Sequence, residues 1–137
     1  ADFPHLAIIL NGGLATIESA RDEMQNLDGV MLGRAAYHTP WLLADVDRLF
    51  FDAPSPVSDR IEAVNSMLPY IQQQLHYGIG LSKMTRHMLG LFHGQPGGRH
   101  WRQIISEQGH VPGAGIEVLR LALDAIETQS NRLIAAE

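Results

Sequence analysis

The 137-residue sequence contains no cysteine. That excludes disulfides, thiolate metal ligands and a cysteine nucleophile or proton donor within this chain, and it suits a reducing compartment. No apolar run approaches the roughly 18–20 residues a membrane-spanning helix needs. The seven histidines include no HExxH or other close ligand spacing, so no metal site is expected. Carboxylates are missing locally: residues 63–106 hold no Asp or Glu, where the chain's average density would place about five.

That gap changes the reading of charge. The net charge of -5 argues against a general nucleic-acid binder, but the acids sit at the two ends of the chain. The middle stretch carries Lys83, Arg86, Arg99 and Arg102, with His76, His87, His93 and His100. It forms a positive face on an acidic molecule. A helix pair facing an acidic neighbour would give the same bias.

The 45% of hydrophobic residues is enough to bury a core. Leu6–Leu10 is a short continuous apolar run that stops at Asn11-Gly12-Gly13, and Gly29–Leu32 is a second that stops at Gly33-Arg34. Such runs read as strands buried on both faces of a parallel sheet. Thr16 is a candidate N-cap for a helix over Ile17–Gln25. Ala35–Phe50 reads as helical, with Pro40 opening a second segment after a break. Strand, loop, helix, repeated twice, is the pattern of an α/β fold with parallel strands. Two strands cannot make a covered parallel sheet, so the α/β part is expected to be incomplete. The absence of Met before Ala1-Asp2-Phe3-Pro4 fits a processed chain or a piece of a longer one.

Asp52–Pro56 is a linker by composition. Beyond it the pattern is helical. Ser58 is a candidate N-cap for a helix with Ile61, Val64, Met67, Leu68, Ile71 and Leu75 on its apolar side; Pro69 should kink or break it, and Gly78 and Gly80 end it. Ser82 is expected to cap a second helix through Leu91-Phe92. A turn at Gly94–Gly98 leads to a third over Arg99–Glu107, and a fourth runs from Ile116 to about Ala135. Residues 57–137 are thus expected to form a four-helix bundle.

Two groups of residues suggest chemistry. Asn11, Gly12 and Gly13 follow one strand, and Gly33 and Arg34 follow the next. In a (β/α)8 barrel the ends of the last two strands form the usual phosphate site. Glycines there let backbone N–H groups approach phosphate oxygens, and an arginine adds a charged contact. Either motif alone reads sooner as an ordinary turn with a surface charge; it is the pair, about twenty residues apart and each at a strand's end, that brings the phosphate reading level with it. Lys83 and Arg86, and again Arg99 and Arg102, are spaced three apart and would share helix faces. Two antiparallel helices would gather the four cations into a phosphate-binding cluster; the plain alternative is a solvated surface. Trp101, between Arg99 and Arg102, reads as a core residue. Asp59 and Glu62 read as solvated faces, and no acid/base pair stands out.

The segments Asn11–Gly13, Asp28–Tyr37 and Pro40–Leu43 resemble the C-terminal third of tRNA-dihydrouridine synthases. The stretch Thr85–Arg102 resembles the A subfamily in particular. The resemblance implies α/β plus all-α architecture: residues 1–52 as the last two βα units of an FMN-binding (β/α)8 TIM barrel, and residues 57–137 as a helical tRNA-binding domain. It implies a cytoplasmic flavoenzyme that reduces the C5–C6 double bond of D-loop uridines 20 and 20a, with FMN as cofactor and NADPH as reductant. By position, Asn11, Gly12, Gly13, Gly33 and Arg34 would hold the FMN phosphate. Arg99 and Arg102, with Lys83 and Arg86, would contact tRNA. The family's proton-donating cysteine and the first six βα units have no counterpart in this sequence, so a C-terminal fragment, inactive alone, is expected. The expected partners are tRNA and the rest of the barrel, with no membrane and no metal. Two rival readings stay open: a stand-alone helical RNA-binding module, and a different flavin- or phosphate-binding barrel with a helical oligomerisation tail.

Overall fold

A computed structural model describes residues 5–135. The chain forms two compact units, Ala1–Pro56 and Val57–Glu137.

In the first unit, β1 (Ile9–Asn11) pairs with β2 (Gly29–Met31) in parallel, with Ile9 opposite Gly29, Leu10 opposite Val30 and Asn11 opposite Met31. Asp28 sets this register at its start. Its Oδ2 accepts from the Ile8 N–H at 2.7 Å, and its own N–H donates to the Ile8 carbonyl at 3.0 Å. The crossover contains α1 (Ile17–Glu23), which begins at a capping box: Thr16 Oγ1 accepts from the Ser19 N–H, and Ser19 Oγ accepts from the Thr16 N–H. After β2 come α2 (Arg34–His38), a 3-10 segment (Pro40–Asp45) and α3 (Val46–Phe51). Pro40 starts the 3-10 segment, where its missing N–H costs no hydrogen bond.

The strands are not buried on both faces, contrary to the expectation from their apolar runs. Ile9 is 62% exposed, Leu6 51% and Met31 49%. Each strand has one neighbour, so no layer covers the rest of its apolar surface among the described residues. Among the described residues of this unit, only Ile17 and Ala20 are buried.

The second unit holds the main core. It contains α4 (Arg60–His76), α5 (Leu81–Thr85), α6 (Gly98–Gln108) and α7 (Glu117–Ile134), with α6 packed chiefly on α7. Val64, Ile71, Leu81, Phe92, Trp101, Ile105, Leu119, Leu123 and Ile126 are buried there.

Several boundaries differ from expectation. The N-cap of α4 is Asp59, not Ser58: Asp59 Oδ1 accepts from the Glu62 N–H at 2.8 Å. Ser58 instead donates its N–H and hydroxyl to Glu62 Oε2 at 2.6 and 2.7 Å. Asp59 and Glu62 are therefore parts of a cap rather than merely solvated charges. Helix α4 runs unbroken through Pro69. Pro69 and Asn65 are both exposed, so water can satisfy the Asn65 carbonyl that the proline leaves without an N–H. The helix ends in a Schellman turn: Ile79 N–H reaches the Gln74 carbonyl, Gly78 N–H reaches that of Leu75, and Gly78 has φ +81°.

Helix α5 starts after Gly80, without a cap from Ser82, and stops at Thr85 instead of continuing to Phe92. Residues 86–97 form consecutive turns, with bonds such as Met88 N–H to Thr85 carbonyl and Leu91 N–H to Met88 carbonyl. Long-range bonds tie these turns to the rest of the unit: Trp101 Nε1 donates to the Met88 carbonyl, and Arg60 Nε donates to the Leu91 carbonyl, both at 3.0 Å.

Candidate functional site

The turn after β1 and the start of α2 make one cleft of about 570 Å³. Asn11, Gly12, Gly13, Gly33 and Arg34 all line it, so the parallel register brings together two motifs about twenty residues apart. Gly12 and Gly13 have φ values of +110° and +77°, a region that side-chain-bearing residues avoid. A Cβ at either position would meet no atom within 4 Å, so bare backbone faces open space. Gly33 occupies the N-cap of α2 without a side-chain hydrogen bond, which leaves the first-turn N–H groups without a side-chain acceptor. With only five residues in α2, the helix dipole adds little, and the charge comes from Arg34. Free backbone donors, an absence of Cβ atoms and one guanidinium make a donor set suited to a phosphate. His38 also lines the cleft and was missed by sequence reasoning. Its position four residues after Arg34, on the same helix face, was the available signal.

In the second unit, Lys83, Arg86, Arg99 and Arg102 are all exposed. Lys83, Arg99 and Arg102 make no salt bridge or side-chain hydrogen bond among the described residues. Arg86 Nε donates to His87 Nε2 at 3.0 Å. Arg86 lies beside Ile105, Ser106 and His110 near the C-terminal end of α6, whereas Arg99 is in its first turn. Seven residues of helix, about 10 Å along the axis, separate Arg99 from Ser106. Trp101 is fully buried, with its ring centroid 4.7 Å from that of Phe92, as expected of a core residue. Arg60 is held at the Leu91 carbonyl, and partial burial lowers its pKa from the usual guanidinium value. No His, Asp or Glu group suited to a metal ion occurs among the described residues, and no helix there is long and apolar enough to cross a membrane.

The sequence profile described as "Dihydrouridine synthase (Dus)" matches residues 1–127. The chain belongs to the dihydrouridine synthase family. This family member is similar to proteins named tRNA-dihydrouridine(20/20a) synthase. It is 54% identical to that of Vibrio vulnificus (strain CMCP6) over 125 residues, which cover 91% of this chain and 38% of the relative. It is 52% identical over 128 residues to that of Vibrio cholerae serotype O1, covering 93% and 39%, and 48% identical over 122 residues to that of Yersinia pestis, covering 89% and 35%. This dihydrouridine synthase chain thus spans less than two-fifths of the length of these relatives.

Proposed function

We propose that the chain is the C-terminal part of a flavin-dependent tRNA-dihydrouridine synthase. In this reading residues 1–52 are the last two βα units of an FMN-binding (β/α)8 barrel, and residues 57–137 are the helical tRNA-binding domain. The observation that carries it is the single cleft formed by Asn11, Gly12, Gly13, Gly33 and Arg34 at the ends of two parallel strands. The exposed apolar strand residues support it too, because the missing staves of a barrel would cover them.

The N–H groups of Gly12 and Gly13 and those opening α2 would hold the FMN phosphate, and the Arg34 guanidinium would neutralise it. His38 borders the same cleft and can donate a further hydrogen bond. When bound, FMN, itself reduced by NADPH, would supply the hydride for the C5–C6 double bond of D-loop uridines 20 and 20a, and the accompanying proton would come from a donor in the part of the barrel outside this chain. The acid-free surface bearing Lys83, Arg86, Arg99 and Arg102 attracts the tRNA backbone and orients the uridine-bearing loop. The protein then functions in the cytoplasm, where its tRNA substrate is found.

The test uses the longer protein of which this chain is the C-terminal part. It should purify yellow and convert unmodified tRNA with NADPH. Arg34→Ala should raise the FMN dissociation constant by roughly 10- to 100-fold, the loss of one charged hydrogen-bonding partner. A colourless protein that takes up no added FMN would overturn the reading.

A further inference from the structure

A second pair of clefts lies in the helical unit, and of the residues expected to contact tRNA only Arg86 lines it. One, of about 410 Å³, is formed by the turn between α4 and α5 and the turn between α6 and α7. Its walls include Ile79, Leu81, Ser82, His110, Val111 and Pro112. The other, of about 230 Å³, includes Ser82, Arg86, Leu89, Ile105 and His110. The two meet at Ser82 and His110 and form one groove.

The groove has two chemically different ends. The wider end is mainly aliphatic, with Ile79 37% and Val111 52% exposed. Gly78, Gly80 and Gly113 leave part of its wall as bare backbone, since a Cβ at any of them would meet no atom within 4 Å. The narrower end carries Arg86. No carboxylate lines either cleft. At the junction Ser82 offers a hydroxyl, and His110 offers a ring that can donate or accept. The His110 and Gly113 N–H groups have no hydrogen-bond acceptor among the described residues.

An apolar slot, a hydroxyl and an imidazole, then a guanidinium, in that order, match the parts of one nucleotide: base, ribose and phosphate. We propose that this groove takes a single unstacked nucleotide of the tRNA. Its base lies between Ile79 and Val111, its 2′-hydroxyl meets Ser82 or His110, and its phosphate meets Arg86. Sequence-specific RNA recognition targets single-stranded loops whose bases can be splayed out into a protein site, and the 2′-hydroxyl is the group that tells RNA from DNA there. The positive potential of the acid-free stretch complements the phosphate. The inference rests on the tRNA-binding reading given above and assigns to it a nucleotide pocket distinct from Arg99 and Arg102.

The test again uses the longer protein, with an unmodified tRNA transcript as probe. Val111→Asp, on an exposed turn, removes an apolar contact and sets a carboxylate in the groove, and should weaken tRNA binding at least about fivefold. Arg86→Ala should make the salt dependence shallower by about one phosphate contact. A benzophenone side chain at position 111 should cross-link to one unpaired loop nucleotide, located by primer extension. The groove proposal alone is overturned if wild type binds tRNA while both variants bind as wild type does, or if the cross-link falls only on base-paired stems. Wild-type protein that fails to bind tRNA would overturn the tRNA reading and the groove together.

Discussion

Trp101 donates its indole N–H to the carbonyl of Met88 across thirteen residues, at 3.0 Å, with its side chain fully buried. This bond joins the turns of residues 86–97 to α6. Trp101→Phe keeps most of the packing and leaves the Met88 carbonyl its bond from the Leu91 N–H, so it should cost about 0.5–1.5 kcal/mol, the net worth of one hydrogen bond. Trp101→Ala should cost about 3–5 kcal/mol. Urea unfolding followed by circular dichroism measures both. A Phe variant as stable as wild type would show that the bond is dispensable.

Gly98 opens α6 against the backbone of Phe92, and an added Cβ would collide with the Phe92 carbonyl. Phe92 is buried and its neighbour Leu91 is anchored by Arg60, so the contact has little room to relax. Gly98→Ala is expected to destabilise by about 1–3 kcal/mol, the usual range for overpacking. Gly97→Ala should be costly as well, because Gly97 has φ +76° and its Cβ would lie 2.9 Å from Ile126 Cα. Thermal melts of the two single variants check this, with Ser82→Ala, which removes no hydrogen bond made in the structure, as the neutral reference.

Glu62 Oε2 accepts two hydrogen bonds from Ser58, first from its N–H and then from its hydroxyl, and these hold the carboxyl below its ordinary value of 4.5. A carboxylate whose pKa is depressed on folding contributes stability above its unfolded pKa and loses it as pH falls through the folded one. The contribution is therefore complete at neutral pH and fades below about pH 4.5. Glu117 behaves likewise: hydrogen bonds from its own N–H and that of Gly115 lower its pKa. Glu62→Gln should be less stable than wild type at pH 7, and the gap should narrow between pH 4.5 and pH 3. Parallel curves across that range would refute the link.

Arg99 and Arg102 lie in the first two turns of α6, exposed and without a carboxylate partner among the described residues. Replacing both with Ala in the longer protein should reduce the slope of log affinity for tRNA against log salt by about 1–2, and weaken binding at low salt more than at high salt. Filter binding at several salt concentrations reads this directly. An unchanged slope would remove these two from the tRNA surface.

Elements set by near neighbours were legible in the residues. Thr16 announced the start of α1, the strand–glycine–helix rhythm announced β1 and β2, and Gly78 announced the end of α4. Each depends on hydrogen bonds or periodicity reaching no more than about four residues. The phosphate-site residues were named from their glycines, but their meeting in one cleft depends on a parallel register between strands twenty residues apart. His38 was missed because an isolated histidine on a short helix carries no motif of its own.

Composition and local patterning already contained the absence of thiol chemistry, the acid-free middle and the order of the elements. They did not contain the end of α5 at Thr85, the place of Arg86 beside Ser106 and His110, or the groove at Ser82 and His110. These belong to a region held by contacts such as those of Trp101 with the Met88 carbonyl and Arg60 with the Leu91 carbonyl, made across 13 and 31 residues, which local propensity does not encode. Propensity acts through a few tenths of a kcal/mol per residue, whereas a buried hydrogen bond tied to an aromatic core counts for more. The long-range contacts therefore fix which side chains share a surface.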